Sequence, residues 1–179
     1  MRRSFRCLFA AVALGGAAPA HAGGIDWGTA SDVGYGTLVA TALGTPLVER
    51  DKDGLVQAGE SIAAAWGVTE VLKRTVREER PDHSDRRSFP SGHSSQSFAA
   101  AATLQNRYGW EVGLPAHAVA TFVAIARVKA DKHHVHDVIA GAAIGEAAGW
   151  LITRRYDARV QVLPWGDAHG GGATVAMRF

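Results

Sequence analysis

An all-α helical bundle closed by a small C-terminal β-hairpin is the fold class this sequence predicts, and three patterns predict it. Ile62, Ala65, Trp66, Thr69, Leu72 and Val76 recur at helical spacing, the mark of an amphipathic helix. Gly141, Gly145 and Gly149 recur every four residues inside a long apolar run. That spacing lets a neighbouring helix approach closely, although it weakens the helix in isolation. At the tail, Val160 and Val162, then Val175, Met177 and Phe179, alternate with other residues around a Pro/Gly-rich turn, the two-residue period of a strand pair.

The first stretch reads as a leader. Arg2, Arg3 and Arg6 precede an apolar, uncharged run that ends in Ala20-His21-Ala22, the small-x-small pattern of a signal-peptidase site. Residues 1–22 are therefore expected to be a signal peptide, leaving 23–179 as one domain. The run is shorter than the ~20 residues a membrane span needs, which favours cleavage over anchoring. Arg2-Arg3-Ser4-Phe5 fits the twin-arginine pattern only in part, so the ordinary secretory route is expected. The protein would be exported, and periplasmic if the source is Gram-negative. Loss of the three leader arginines takes 19 basic residues to 16 against 17 acidic ones, turning a formal charge of +2 into −1. Binding to nucleic acid through bulk charge is thereby unsupported. Cys7, the single cysteine, departs with the leader, so the domain must be held by its core without disulfides.

Within the mature chain, residues 23–36 read as a Gly-, Ser- and Asp-rich loop, and Thr37–Leu43 as a short helix stopped by Gly44 and Pro46. The amphipathic segment around Ile62 is expected to run to about Arg80, where Pro81 ends it. A charged loop over 81–92 closes on Pro90-Ser91-Gly92, with Ser91 as N-cap of a helix to about Asn106. Another helix follows Pro115 and carries Val119, Phe122, Val123 and Ala126, and the last spans about Val135 to Arg155. The helical core is thus placed at about 37–155 and the hairpin at about 158–179. The most apolar stretches, Val112–Ala126 and Val138–Ile152, are each 15 residues long and contain Pro115, His117 and Glu146. They read as buried helices of a soluble bundle, too short to cross a bilayer, with peripheral membrane contact left open.

Three clusters carry chemistry. Lys73 and Arg80, seven apart, would share a helix face because seven residues make two turns less about 20°. Taken alone, such a basic face is as readily a solvated one. Phe89-Pro90-Ser91-Gly92-His93 enters a helix, where unpaired backbone N–H groups make an anion site and glycine lets a phosphate reach the main chain. Taken alone, it is a capped turn. Finally, His133 and Asp137 are four apart, so the carboxylate could accept an imidazole N–H and leave the other ring nitrogen as nucleophile or ligand.

The order and spacing of these clusters resembles the signature of the type 2 phosphatidic acid phosphatase superfamily, which also includes bacterial non-specific acid phosphatases and vanadium haloperoxidases. The matching residues are Lys73 with Arg80-Pro81, then Pro90-Ser91-Gly92-His93, then Arg127, His133 and Asp137. One departure is Ala126, where the family pattern has serine before the arginine. The resemblance implies the family's helical fold, of acid phosphatase/haloperoxidase type, and phosphate-ester hydrolysis through a phosphohistidine on His133. Asp137 would orient that ring and His93 would protonate the leaving oxygen. Lys73, Arg80, Ser91, Gly92 and Arg127 would surround the phosphoryl oxygens.

No metal or other cofactor is implied, and vanadate would act as an inhibitor. The substrate is expected to be a phosphate ester, either soluble or a lipid head group. A vanadium-dependent haloperoxidase is the alternative within the same pocket, less favoured because family haloperoxidases are much larger chains. A non-catalytic phosphate- or calcium-binding protein is the alternative from another class. His133, His134 and His136 suggest a metal cluster, but helical neighbours point about 100° apart and could not easily share one ion. Residues 49–60 align with a calcium loop, with acids at Glu49, Asp51 and Asp53, Gly54 at the turn and Glu60 at the end. Glutamate at its first position is atypical, and Asp53-Gly54 equally makes a plain turn before a helix.

Overall fold

A computed structural model describes residues 25–156, 160–167 and 170–177. The leader expected at 1–22 lies outside the described residues. The described chain is mostly helical: α1 (Trp27–Val48), α2 (Lys52–Thr75), α3 (Gly92–Tyr108), α4 (Trp110–Lys129) and α5 (Val135–Ile152). Two strands follow, β1 (Val160–Asp167) and β2 (Gly170–Met177), paired antiparallel with Val160 opposite Met177.

Small side chains explain why α3 lies at the centre, in contact with all four other helices. Ser94, Ser95, Ser97 and the run Ala99 to Ala102 are all buried. The glycine stripe of α5 faces this helix. A Cβ on Gly145 would lie 2.2 Å from the Ser95 carbonyl oxygen, and one on Gly149 would lie 2.5 Å from Ala102 Cβ. The two backbones touch where any larger residue would hold them apart. On the far side of α3, Leu38, Ala42, Ala100, Ala101, Leu104, Ala116 and Ala120 make the main apolar core.

Several sequence expectations need correction. From Trp27 onward the expected loop at 23–36 and the short helix at 37–43 are one 22-residue helix, α1, capped by the Asp26 carboxylate, which accepts from the Gly28 and Thr29 N–H groups. Glycine and Pro46 do not stop it, because packing outweighs weak propensity. Gly34 even aids that packing, since a Cβ there would come within 2.9 Å of Val123 on α4.

The calcium-loop reading also fails. Residues 52–60 are already helical in α2, and Asp51 is its N-cap, accepting from the Gly54 N–H at 3.0 Å. The Asp51 carboxylate is buried against Arg107, whose Nε donates at 2.7 Å, and against the Tyr108 hydroxyl at 3.0 Å. A run that is helix from its fourth position cannot wrap a cation.

At its other end α2 stops at Thr75, well before Arg80, and Val76 is extended. The residues beyond it bond to their own return limb, with the Ser88 N–H donating to the Glu78 carbonyl and the Arg80 N–H to that of Asp85. These loop bonds replace the helical ones.

The apolar helices differ most from expectation. α4 begins upstream of Pro115 and reaches 20 residues, and α5 has 18 and ends at Ile152 instead of Arg155. Both are long and apolar enough to cross a membrane, and only 39% and 33% of their most apolar windows are buried. Leu114, Phe122 and Ile125 on α4, and Ile139, Trp150 and Leu151 on α5, are exposed. Neither helix is buried to the extent the sequence reading expected.

Candidate active site

The C-terminal ends of α2 and α4 meet the N-terminal ends of α3 and α5, and the expected site residues gather there. Lys73, in the last turn of α2, donates Nζ hydrogen bonds to the carbonyls of Arg87 at 2.7 Å and Ser88 at 3.3 Å. It thus holds the return limb of the 76–91 loop. Burial, then the neighbouring Arg80, pulls its pKa down to about 8. Arg80 rises from that loop, and its Nε donates to Asp85 at 2.8 Å. Its Nη1 donates to the Lys132 carbonyl at 3.0 Å and lies 3.5 Å from His133 Nε2. Arg127, in the last turn of α4, reaches Ser31 Oγ at 3.3 Å and Asp32 Oδ1 at 3.4 Å. Its buried Nε has no partner.

His133 is buried in the turn between α4 and α5. Burial first, then Arg80, Lys73 and Arg127 in turn, push its pKa well below the ordinary value, with Asp137 acting against them. Burial and three cations therefore act together to favour the neutral imidazole.

Asp137 lies behind this ring for a different reason than sequence spacing suggested. His133 is not on α5 at all: His134 is the N-cap and Asp137 the third residue of the helix. The carboxylate is a capping group, and its Oδ2 accepts from the His134 backbone N–H at 2.8 Å and from the Ser88 hydroxyl at 2.5 Å. His133 Nδ1 is 3.6 Å from that oxygen, beyond hydrogen-bond length, and both His133 Nδ1 and Asp137 Oδ1 lack partners. The pair is close without being bonded.

Ser91 is the N-cap of α3, its buried Oγ accepting from the Ser94 N–H at 3.4 Å, so its own proton stays free to donate. Its backbone N–H is tied to the Asp137 carbonyl at 3.0 Å, which joins the starts of α3 and α5. At Gly92 a Cβ would meet only Thr69 at 3.8 Å and Gln96 at 3.9 Å, both ordinary contacts. Neither packing nor backbone angle demands glycine there, so the space left beside the first N–H groups of α3 is available to a ligand. His93 turns its Nε2 to Asp32 Oδ1 at 2.9 Å and packs on the Tyr35 ring, 4.8 Å between centroids.

Sequence reasoning missed Asp32, Tyr35 and Ser88. Asp32 and Tyr35 fell in the segment read as a loop. Ser88 has no local signal, because its role depends on a contact 49 residues away.

Beside the site, Glu78, His134, His136 and Asp137 each offer one metal-ligating atom, all within 4.8 Å of one another. His133 is not among them, so the three histidines separate, as their spacing suggested, one imidazole facing Arg80 and two facing Glu78. An apolar groove of about 630 Å³ runs between α4 and α5, lined by Phe98, Ile125, Val128, Val135 and Ile139, and reaches Asp131 in the turn that carries His133.

A neutral imidazole nitrogen faced by an arginine, with two further cations and helix N–H groups around it, suits attack on a tetrahedral anion. The comparisons with known proteins point the same way. The family model described as the PAP2 superfamily matches residues 54–161, which covers the site residues from Lys73 to Asp137 and leaves those of α1 and most of the strand pair outside. The lipid A 4'-phosphatase of Helicobacter pylori is 37% identical over 121 residues, covering 62% of this chain and 61% of the relative. The decaprenylphosphoryl-5-phosphoribose phosphatase of Mycobacterium tuberculosis is 30% identical over 127 residues, covering 65% of this chain and 70% of the relative. The chain thus spans between six and seven tenths of the length of these relatives. Among solved structures, LpxE of Aquifex aeolicus superposes with a TM-score of 0.61 at 21% identity, over 70% of this chain and 81% of that one. The transmembrane PAP2-type phosphatidylglycerolphosphate phosphatase of Bacillus subtilis superposes with a TM-score of 0.50 at 24% identity, over 70% and 72%. These two show the helical fold.

Proposed function

Because this chain belongs to the PAP2 superfamily, we propose that it is a phosphoric ester hydrolase that removes phosphate from lipid phosphates at a membrane. The reaction runs through a phosphohistidine on His133 and needs no metal ion. The observation that carries the reading is a buried His133 whose Nε2 lies 3.5 Å from Arg80 Nη1, where the ends of the helices that carry Lys73 and Arg127 meet.

In the first step the His133 Nε2 lone pair forms a bond to phosphorus while the bond to the leaving oxygen breaks. His93 gives that oxygen a proton. In the second step a water molecule gives a proton to His93 and attacks phosphorus, the N–P bond breaks, and inorganic phosphate leaves. Lys73, Arg80 and Arg127, with the Ser91 hydroxyl and the Gly92 N–H, neutralise the equatorial oxygens and do the work a Mg²⁺ ion does in other phosphoryl transferases. As His133 becomes an imidazolium, Asp137 stabilises it, which requires only a small closure of the 3.6 Å gap.

Lipid substrates are favoured by the exposed apolar faces of α4 and α5, and by the groove between them, which offers an acyl chain a place beside the turn of His133. Both relatives described above act, by name, on phosphorylated lipids. Residues 1–22 would direct export, and 23–179 would form the working domain on the outer side of the membrane.

The test is phosphate release by the purified full-length protein in detergent, with phosphatidic acid, a polyprenyl phosphate and glycerol phosphate compared in the presence of EDTA. Lipid phosphates should be turned over and His133→Ala should remove the activity. Turnover of glycerol phosphate alone, or a strict need for added metal, would contradict the reading.

A further inference from the structure

The loop after α2 and the start of α5 bring together a second chemical cluster that the hydrolytic scheme leaves unused. The geometry points to a binding site for one divalent cation of the zinc class, formed by Glu78, His134, His136 and Asp137, whose occupation slows the hydrolase.

Three pairs of donor atoms already stand near the spacing of a ligand shell, in a set that lies within 4.8 Å. Glu78 Oε1 is 2.7 Å from His136 Nε2 and 3.2 Å from His134 Nδ1, and His136 Nε2 is 3.2 Å from Asp137 Oδ1. Bonds of about 2.0–2.1 Å in a tetrahedron put ligand atoms roughly 3.3 Å apart. Two imidazoles and two carboxylates suit zinc and its transition-metal neighbours, and they suit magnesium poorly, since it prefers oxygen and octahedral geometry. The helical argument against paired histidines does not apply here. His134 is the extended N-cap and His136 is in the first turn, so the rings stack at 5.2 Å and 10° instead of diverging.

A second observation is independent of spacing. The Asp137 side chain is fully buried, yet its Oδ1 has no hydrogen-bond partner, and neither has the buried His134 Nδ1. Buried polar atoms are rarely left this way, because each costs roughly 1–3 kcal/mol. A cation between them would satisfy both. It could enter from solvent, since His136 is 59% and Glu78 28% exposed.

The consequence for catalysis rests on the hydrolase reading above. Asp137 serves both clusters, Oδ2 turned towards His133 and Oδ1 towards His136. A cation on Oδ1 draws off the negative charge that stabilises the His133 imidazolium. It also ties the 76–91 loop, with Arg80, to the start of α5. Both effects lower turnover without displacing any substrate-binding group.

The test is a calorimetric titration of zinc into the full-length protein in detergent, free of any polyhistidine tag, with Glu78→Gln and His136→Gln alongside. One zinc per chain should bind, with affinity at least tenfold weaker in each variant, and X-ray absorption should report a mixed nitrogen and oxygen shell with two imidazoles. Both variants should keep the basal rate on phosphatidic acid and lose sensitivity to zinc. Absence of saturable zinc binding, or unchanged affinity in both variants, would overturn the site; wild-type turnover indifferent to bound zinc would overturn its inhibitory role. Calorimetry needs no turnover, so failure of the hydrolase reading would show separately as a protein that binds zinc and releases no phosphate.

Discussion

Asp32 Oδ1 sits 2.9 Å from His93 Nε2 and 3.4 Å from Arg127 Nη1. One carboxylate of α1 thereby tethers the residue proposed to donate a proton to a residue proposed to hold the phosphate. Burial first, then Arg127, lowers the pKa of His93 below its ordinary value, and Asp32 opposes them. His93 has to be protonated to serve as acid, so activity should fall as pH rises through its pKa. Asp32→Asn removes the opposing charge, lowers that pKa further and should move the alkaline limb of kcat/KM to lower pH. An unmoved limb, or one displaced upwards, would show that Asp32 does not act on His93.

The same histidine should show itself through the leaving group. His93→Ala should cost far less on nitrophenyl phosphate, whose leaving oxygen needs little protonation, than on an alkyl phosphate. Rates of the variant on the two substrates, each relative to wild type, give the comparison. Equal losses would exclude His93 as the acid.

Packing makes a contrast between two glycines. Gly145→Ala places a methyl 2.2 Å from the Ser95 carbonyl oxygen, backbone that cannot move aside cheaply. It should cost ~1–3 kcal/mol in denaturant unfolding, as overpacked core sites do. Gly36→Ala, on the exposed side of α1, meets nothing within 4 Å and should stabilise by roughly 0.5–1 kcal/mol through helix propensity. Equal effects at the two sites would mean that the α3–α5 approach is looser than described.

Ser88 holds Asp137 in place, its hydroxyl donating to Oδ2 at 2.5 Å within the bundle. Ser88→Ala leaves that buried oxygen with one donor fewer, and about 1–3 kcal/mol of stability should be lost. Turnover should fall too, since the carboxylate can then swing from His133. A variant with wild-type stability and rate would show the contact to be incidental.

The sequence made the chemistry legible before the architecture. The lysine, arginine, serine and histidine positions stood out because their order and spacing resemble the family signature, and the fold brings them to the same helix ends. The glycine stripe at 141, 145 and 149 was readable because close helix approach has a single solution in residue size. Lys73 and Arg80 do lie at one site, but through a loop bonded to itself, and Asp137 lies near His133 as a helix cap instead of a helix-face neighbour. Spacing alone cannot tell these routes apart. The first part of α1 escaped notice because its small and apolar residues are mixed and no face stands out, and Asp32 was lost with it. The outward faces of α4 and α5 were read as buried because hydropathy reports what a side chain avoids, and lipid satisfies that as well as a protein core does. Ser88 and Glu78 owe their places to contacts across the fold, where no local pattern could point.

The mechanism depends above all on His133 as the nucleophile, and rapid base-quenched labelling tests that. Protein mixed with a ³²P-labelled lipid phosphate and quenched into base should carry base-stable, acid-labile phosphate, found by peptide mass spectrometry on His133 and absent from His133→Ala. Label on His134 or His136, or undiminished turnover by His133→Ala, would contradict the mechanism outright.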